Sequence, residues 1–180
     1  FEKDLARQLA GSSSFLLNLA NNPLPLWDES IFSSGPTWQK LWQPIQKELQ
    51  TSDAFIFVVP EYNGMVPSSV INFFQLCGFK ELGHKPGLIV TVSSTRGGSY
   101  PAAELRMLTG KNNRLCYIPE QVIVREAPTM LNGETIEGED DAYLRGRIAY
   151  TLRLLNAYAQ NLSNLRASGV IDYKGYPNGM

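Results

Sequence analysis

One histidine, His84, and two cysteines, Cys77 and Cys116, are all that 180 residues contain of the commonest soft metal ligands. The isolation of His84 argues against a Ser-His-Asp hydrolase and against a histidine-rich metal site. It precedes Lys85-Pro86 at the expected start of a strand and reads as a surface residue. The two cysteines stand far apart, without metal-ligand spacing, so a disulfide framework is not expected and a reducing compartment is the default. Both lie in apolar stretches and read as buried thiols. Charge of one sign is also lacking: 16 basic against 17 acidic residues give a net charge of −1. This removes the electrostatic case for nucleic acid or an anionic membrane, and it weighs against a strongly acidic electron shuttle. No apolar run is long enough to span a bilayer, and no signal peptide is visible. The expectation is a cytoplasmic protein, although the chain opens at Phe1 rather than at a methionine.

What is present is ordinary globular composition, 43% hydrophobic and 18% charged, in a length that suits one domain. Strand-like and helix-like segments alternate, the pattern of an α/β fold with a doubly wound parallel sheet and helices on both faces. Phe1, Leu5 and Leu9 suggest that the chain opens inside a helix ended by Gly11. Ser14 to Leu19 reads as a short strand, and Asn21 to Gly35 as a loop. Trp38, Leu41, Trp42, Ile45 and Leu49 form a helical stripe, at Pro44 either kinked or restarted.

Ala54 to Val59 is the strongest strand, apolar throughout, as expected for a central strand covered on both faces. Pro67 opens a helix through Val70, Phe73, Phe74 and Cys77. Gly87 to Ser93 is a second buried strand, Pro101 to Leu108 a helix, and Gln121 to Arg125 a last strand. Glu126 to Gly138 reads as an exposed turn or hairpin. Acidic residues at 137 and 139–141 suit the positive end of the long helix that follows, with a metal site as the minor alternative. The domain is placed at residues 1–167, with an irregular tail at 168–180.

Open α/β sheets bind ligands beyond the carboxyl ends of their strands. Two loops leave strong strands there: Pro60-Glu61-Tyr62-Asn63-Gly64 and Ser93-Ser94-Thr95-Arg96-Gly97-Gly98-Ser99. Their glycines allow close backbone approach to a flat ligand. Both lead into helices, whose first amides favour anionic or carbonyl acceptors.

The segment Val59-Pro60-Glu61-Tyr62-Asn63-Gly64, followed by Val66-Pro67, resembles the NADPH-dependent FMN reductase family of flavodoxin-like proteins. Lys85-Pro86, the Arg96-Gly97-Gly98 loop and Pro23-Leu24-Pro25-Leu26-Trp27-Asp28 also look like the family pattern. The similarity covers Phe1 to Pro128. It implies a flavodoxin-like fold, FMN as cofactor and NADPH or NADH as co-substrate. It implies reduction of a small acceptor (flavin, quinone, azo compound or metal oxyanion) and a homodimer or homotetramer. Carried over by position, Pro60, Glu61, Tyr62, Asn63 and Gly64 would line the flavin, and Ser93, Thr95, Arg96, Gly97 and Gly98 would approach the other edge of its ring. No protein acid or base is needed for hydride transfer to a flavin, so no catalytic residue is named.

Three departures stand out. The family's first strand and its Gly-Ser-x-Arg-x-x-Ser phosphate loop do not occur from Phe1 onward, which points to residues upstream of Phe1. Ile71 and Gln75 stand where the family carries Lys and an acidic residue. The last helix is longer than expected and a tail follows it. The competing readings are a flavodoxin-type electron carrier and a non-enzymatic protein that has lost FMN. The nearly all-round apolar helix from Val70 to Phe79 has two readings, burial wholly inside the domain and, preferred, burial of one face against a second subunit.

Overall fold

The computed structural model of the chain describes residues 11–21 and 23–179. Its centre is a parallel sheet of three strands, β1 (Phe55–Pro60), β2 (Pro86–Val92) and β3 (Cys116–Val124), in that spatial order. The β1–β2 register runs unbroken from Phe55 opposite Gly87 to Pro60 opposite Val92. Between β2 and β3 the register shifts: Gly87 pairs with Tyr117, and Ile89 already with Gln121. The extra β3 residues include Pro119, which has no N–H to give to a ladder. A bulge at this point lets the strand continue past it.

Helices cover both faces. On one side lie α1 (Pro36–Leu41), α2 (Gln43–Thr51), α3 (Ser68–Leu76), α4 (Phe79–Leu82) and α5 (Ser99–Leu108). Here Trp38, Trp42, Phe73, Phe74 and Leu105 pack with Phe55, Val59 and Ile89. On the other side α6 (Gly138–Ala167) presents Leu144, Ile148, Leu152 and Leu155 to Leu88, Val90, Ile118 and Val122. Alternate residues of β2 therefore feed two separate cores, as the two-residue period of a strand dictates. The stripe around Pro44 is two helices. α2 restarts there with the proline in its first turn, where its missing donor costs nothing.

Several expectations need correction. The strand covered on both faces is β2, buried from Pro86 to Thr91. β1 is bonded on one side only among the described residues, and Val58 is 52% exposed. The reason is that α6 lies over β2 and β3 and leaves that part of β1 uncovered. Ser14–Leu19 forms no strand and pairs with none of the three described strands. β3 begins at Cys116, well before Gln121. Of the two readings for the segment after β3, the turn holds and the hairpin does not: a short 3-10 turn at Ala127–Thr129 is followed by bends up to the start of α6.

The apolar helix α3 needs no second subunit to hide it. Phe73, Phe74, Leu76 and Cys77 are all buried within the domain, and Ile71 packs partly against the same core. His84 is half-buried rather than on the surface. Of the two thiols, Cys77 is buried and Cys116 only partly so. The helix expected over Phe1–Leu9 lies outside the described residues. Among the described residues no helix is long and apolar enough to cross a membrane.

Candidate functional site

The loops that leave β1, β2 and β3 meet at the carboxyl edge of the sheet. The first continues the ladder by one bond, Glu61 N–H to the Val92 carbonyl at 2.8 Å. It then folds back on itself, Tyr62 and Met65 exchanging both backbone bonds at 3.1 and 3.0 Å. Asn63 (φ 52°) and Gly64 (φ 77°) form the tip, both left-handed, as a two-residue turn with Asn-Gly requires. This turn leaves Tyr62 64% exposed and the neighbouring Tyr100 74% exposed. Its far side is fixed by Glu104 of α5, whose carboxylate accepts the Val66 amide at 2.8 Å.

The second loop is held from three directions. The Glu61 carboxylate accepts the Gly98 amide at 2.7 Å. Thr91, fully buried in β2, donates its hydroxyl to the Gly98 carbonyl at 2.7 Å. Arg125, just past β3, shares its Nε–H between the carbonyls of Arg96 (2.9 Å) and Gly97 (3.0 Å) and reaches Ser99 Oγ at 3.2 Å. Backbone bonds from Glu126 N–H to the Thr95 carbonyl and from Ala127 N–H to the Ser93 carbonyl finish the seam.

Both loop glycines sit against side chains that leave little room for a Cβ. A Cβ on Gly97 would overlap the Glu61 carboxylate, and one on Gly98 (φ 95°) would stand 2.5 Å from Ile123 Cγ2. After these bonds are made, the amides of Asn63, Gly64, Arg96 and Gly97 have no acceptor among the described residues.

All ten residues expected at the site therefore lie at one edge, but they do not all turn outward. Tyr62 and Asn63 face solvent, and Gly64 borders Tyr100. Glu61 turns inward to the other loop. Ser93 is buried. Arg96 leans on Glu126 at 3.6 Å with its side chain largely in water. The sequence reading missed Thr91, Glu104 and Arg125. No local signal marks them, because each acts on a loop distant in the chain. The Asn63-Gly64 turn, by contrast, carries a sequence signature of its own. Among the described residues no cluster of His, Cys, Asp and Glu could hold a metal ion.

The fold and this pair of glycine-bearing loops define a flavodoxin-like α/β protein with a ligand edge at the carboxyl ends of its strands. Residues 3–129 match the family described as NADPH-dependent FMN reductase, and the chain belongs to that family. A quinone reductase of Pseudomonas putida is 34% identical over 100 residues, which are 53% of this chain and 52% of that protein. The chain thus spans about half the length of the curated relatives it matches.

Among solved structures, the flavoenzyme NAD(P)H:acceptor oxidoreductase FerB of Paracoccus denitrificans superposes with a TM-score of 0.60 at 19% identity. It covers 91% of this chain and 87% of its own. RosB, solved with bound 8-demethyl-8-formylriboflavin-5′-phosphate, gives 0.62 at 14% identity, covering 91% and 71%. These similarities establish the flavodoxin-like fold. The description of that family names FMN and NADPH.

The residues present fit a flavin ring. The unpaired amides at the two loop tips suit the carbonyl-rich edge of an isoalloxazine, and Tyr62 and Tyr100 offer exposed aromatic surface beside them.

Proposed function

We propose that the chain is an FMN-dependent NAD(P)H oxidoreductase domain that reduces a small molecule, with a quinone, flavin, azo compound or metal oxyanion as acceptor class. The carrying observation is the pair of loops, Pro60–Gly64 and Ser93–Gly98, clamped together at the carboxyl edge with free amides between them. FMN, when bound, supplies the chemistry: it takes a hydride from the nicotinamide and hands two electrons to the acceptor. The protein's part is to bind and orient. Tyr62 and Asn63 flank the ring at the first loop, Pro60 and Gly64 set the turn, and Glu61 reaches across to the second. Thr95, Arg96, Gly97 and Gly98 approach the opposite edge mainly through backbone, and Ser93 supports them from beneath. No side chain is required as acid or base. A homodimer or homotetramer in the cytoplasm fits the reading.

The test is the visible spectrum and turnover of the full-length protein. Addition of FMN should give the perturbed yellow spectrum of a bound flavin. NADPH or NADH should then be oxidised rapidly in the presence of a quinone. A protein that binds FMN but does not consume NAD(P)H without a separate reductase would be an electron carrier. One that stays colourless in excess FMN would have lost the cofactor, and the reading would fall.

A further inference from the structure

The carbonyls of three successive residues in the second loop are all accounted for by side chains. Arg125 holds those of Arg96 and Gly97, and Thr91 holds that of Gly98. The chain has no cis peptide among its described residues, and in a trans peptide the carbonyl and the following N–H point in opposite directions. Each tethered carbonyl therefore aims one amide. With the Gly97 carbonyl on Arg125, the Gly98 N–H points the other way and meets Glu61 at 2.7 Å. With the Arg96 carbonyl on Arg125, the Gly97 N–H also points away from Arg125. Of these two amides it is the one left without an acceptor among the described residues.

We propose that Glu61 and Arg125 are a pair of positioning residues: anchored on opposite sides of the Arg96–Gly98 loop, they turn the Gly97 amide outward as the hydrogen-bond donor to the ring edge of the flavin. This rests on the flavin reading above and goes further by assigning the side chains that build the donor. Arg125 fixes which way the two peptides face. Glu61 ties up the Gly98 amide, which removes a competing donor, and links the loop to the Pro60–Gly64 turn that holds Tyr62 and Asn63. Glu61 thus does not line the ring. It sets the spacing between the two loops. A Cβ at Gly97 would fall on this carboxylate, so a side chain there would displace Glu61 from the clamp. Arg125 makes three bonds to the loop from two nitrogens of one rigid plane, Nε to the two carbonyls and Nη2 to Ser99 Oγ, which the single nitrogen of lysine does not reproduce.

The experiment compares the wild type with Glu61→Ala, Glu61→Gln, Arg125→Ala and Arg125→Lys in the full-length protein, with FMN as the probe. Three readouts are taken: FMN affinity by fluorescence quenching, the midpoint potential and visible band positions of bound FMN, and amide exchange of Gly97 and Gly98 in the FMN-free protein. Loss of a charge-assisted bond that presets the donor should weaken FMN by about tenfold or more in Glu61→Ala and Arg125→Ala, with shifted bands and potential. Glu61→Gln should recover affinity to within about threefold, because its amide oxygen still accepts from Gly98. Arg125→Lys should recover little. Exchange at Gly98 should accelerate in Glu61→Ala.

Wild-type affinity, bands and potential in both alanine variants would overturn the proposal while leaving the flavin reading intact. Failure of the wild type to bind FMN would sink the flavin reading and, with it, the proposed role toward the ring. Unchanged Gly98 exchange in Glu61→Ala would overturn the loop clamp whether or not FMN binds.

Discussion

Lys85 donates from Nζ to the carbonyl of Leu49 at 2.8 Å, and to that of Gln50 at 2.9 Å, which caps the C-terminal end of α2 from inside the protein. A cation suits this end of a helix, where carbonyls lack intrahelical partners. The site is nevertheless dry, since Lys85 is buried beside the Phe55 ring. Burial, with the charge of Arg166 adding to it, pulls its pKa from 10.5 down to about 8. Between those values the unfolded chain holds a proton that the folded chain has shed. Unfolding then takes up a proton, so stability rises with pH across this window and is lost again as pH falls through about 8. The neutral amine still has two N–H groups for the two carbonyls, so the cap survives deprotonation. Urea unfolding of Lys85→Met from pH 8 to 10.5 should lack this component, whose slope is at most about 1.4 kcal/mol per pH unit. An identical slope in both proteins would show that Lys85 is ordinary.

Gly98 combines a left-handed φ of 95° with a Cβ direction blocked by Ile123. Gly98→Ala should therefore cost about 1–3 kcal/mol through strain and repacking. FMN affinity should fall as well, since the same peptide carries the bonds to Glu61 and Thr91. Gly133→Ala is the useful contrast. Its φ of 104° is also left-handed, but its Cβ would meet open space and it bonds to neither of the two clamped loops, so its cost should leave FMN binding untouched. Thermal unfolding and FMN titration of both variants separate local strain from site damage.

Asp141 is 1% exposed in the first turn of α6. Its carboxylate accepts from Arg145 Nε at 2.7 Å and from the amides of Leu131 and Glu137 at 2.9 and 3.1 Å. The bond from Arg145 first, then the Leu131 amide, holds its carboxyl below the usual 3.8. The stabilisation is complete above that value and is lost as pH falls through the folded-state pKa. Asp141→Asn should lower the melting temperature at pH 7 and shrink the difference between pH 7 and pH 3. Amide exchange at Leu131 and Glu137 should quicken. Equal acid sensitivity in variant and wild type would refute the assignment.

How much of this was visible in the sequence depends on how local each cause is. β2 announces itself because six consecutive buried positions leave an unbroken apolar run. The same rule misled at β1, whose residues are as apolar although Val58 faces water. Hydropathy reports what a strand tolerates, and the covering helix decides what it gets. Ser14–Leu19 has strand-like residues without a neighbour to bond. The first half of β3 was hidden by Pro119, which reads as a break until the bulge is seen. At the site, the Pro60–Gly64 and Ser93–Gly98 loops were legible as glycine-bearing turns after strong strands. Their inward bonds were not, because Glu61, Thr91, Glu104 and Arg125 act across 7 to 38 residues of sequence. The burial of Lys85 and Asp141 is equally non-local, since each charge is buried because distant backbone comes to meet it.

At the opposite edge of the sheet, the C-terminal tail is pinned by aromatic contacts. Tyr173 stacks on Phe79 with ring centres 4.2 Å apart, the Arg114 guanidinium lies 5.0 Å from the Tyr173 ring centre, and the Tyr176 carbonyl accepts from Arg114. His84 sits beneath this cover, 6.0 Å from the Tyr173 ring, with its backbone bonded to Arg114 and Arg166. Burial first, then the charges of Arg114 and Arg166, lower its pKa below 6.5. Protonation therefore opposes folding: stability holds above pH 6.5 and is lost as pH falls toward the folded-state pKa. Tyr173→Ala should uncover the imidazole and move its titration back up toward 6.5, and it should destabilise the fold by about 1–2 kcal/mol. As the only histidine, His84 gives a single titrating imidazole signal by NMR. FMN affinity should not change, because β2 and β3 separate the tail from the ligand edge by their full length. A weakened FMN complex in this variant would mean that the two edges of the sheet are coupled, and an unmoved His84 titration would mean that Tyr173 is not what shields it.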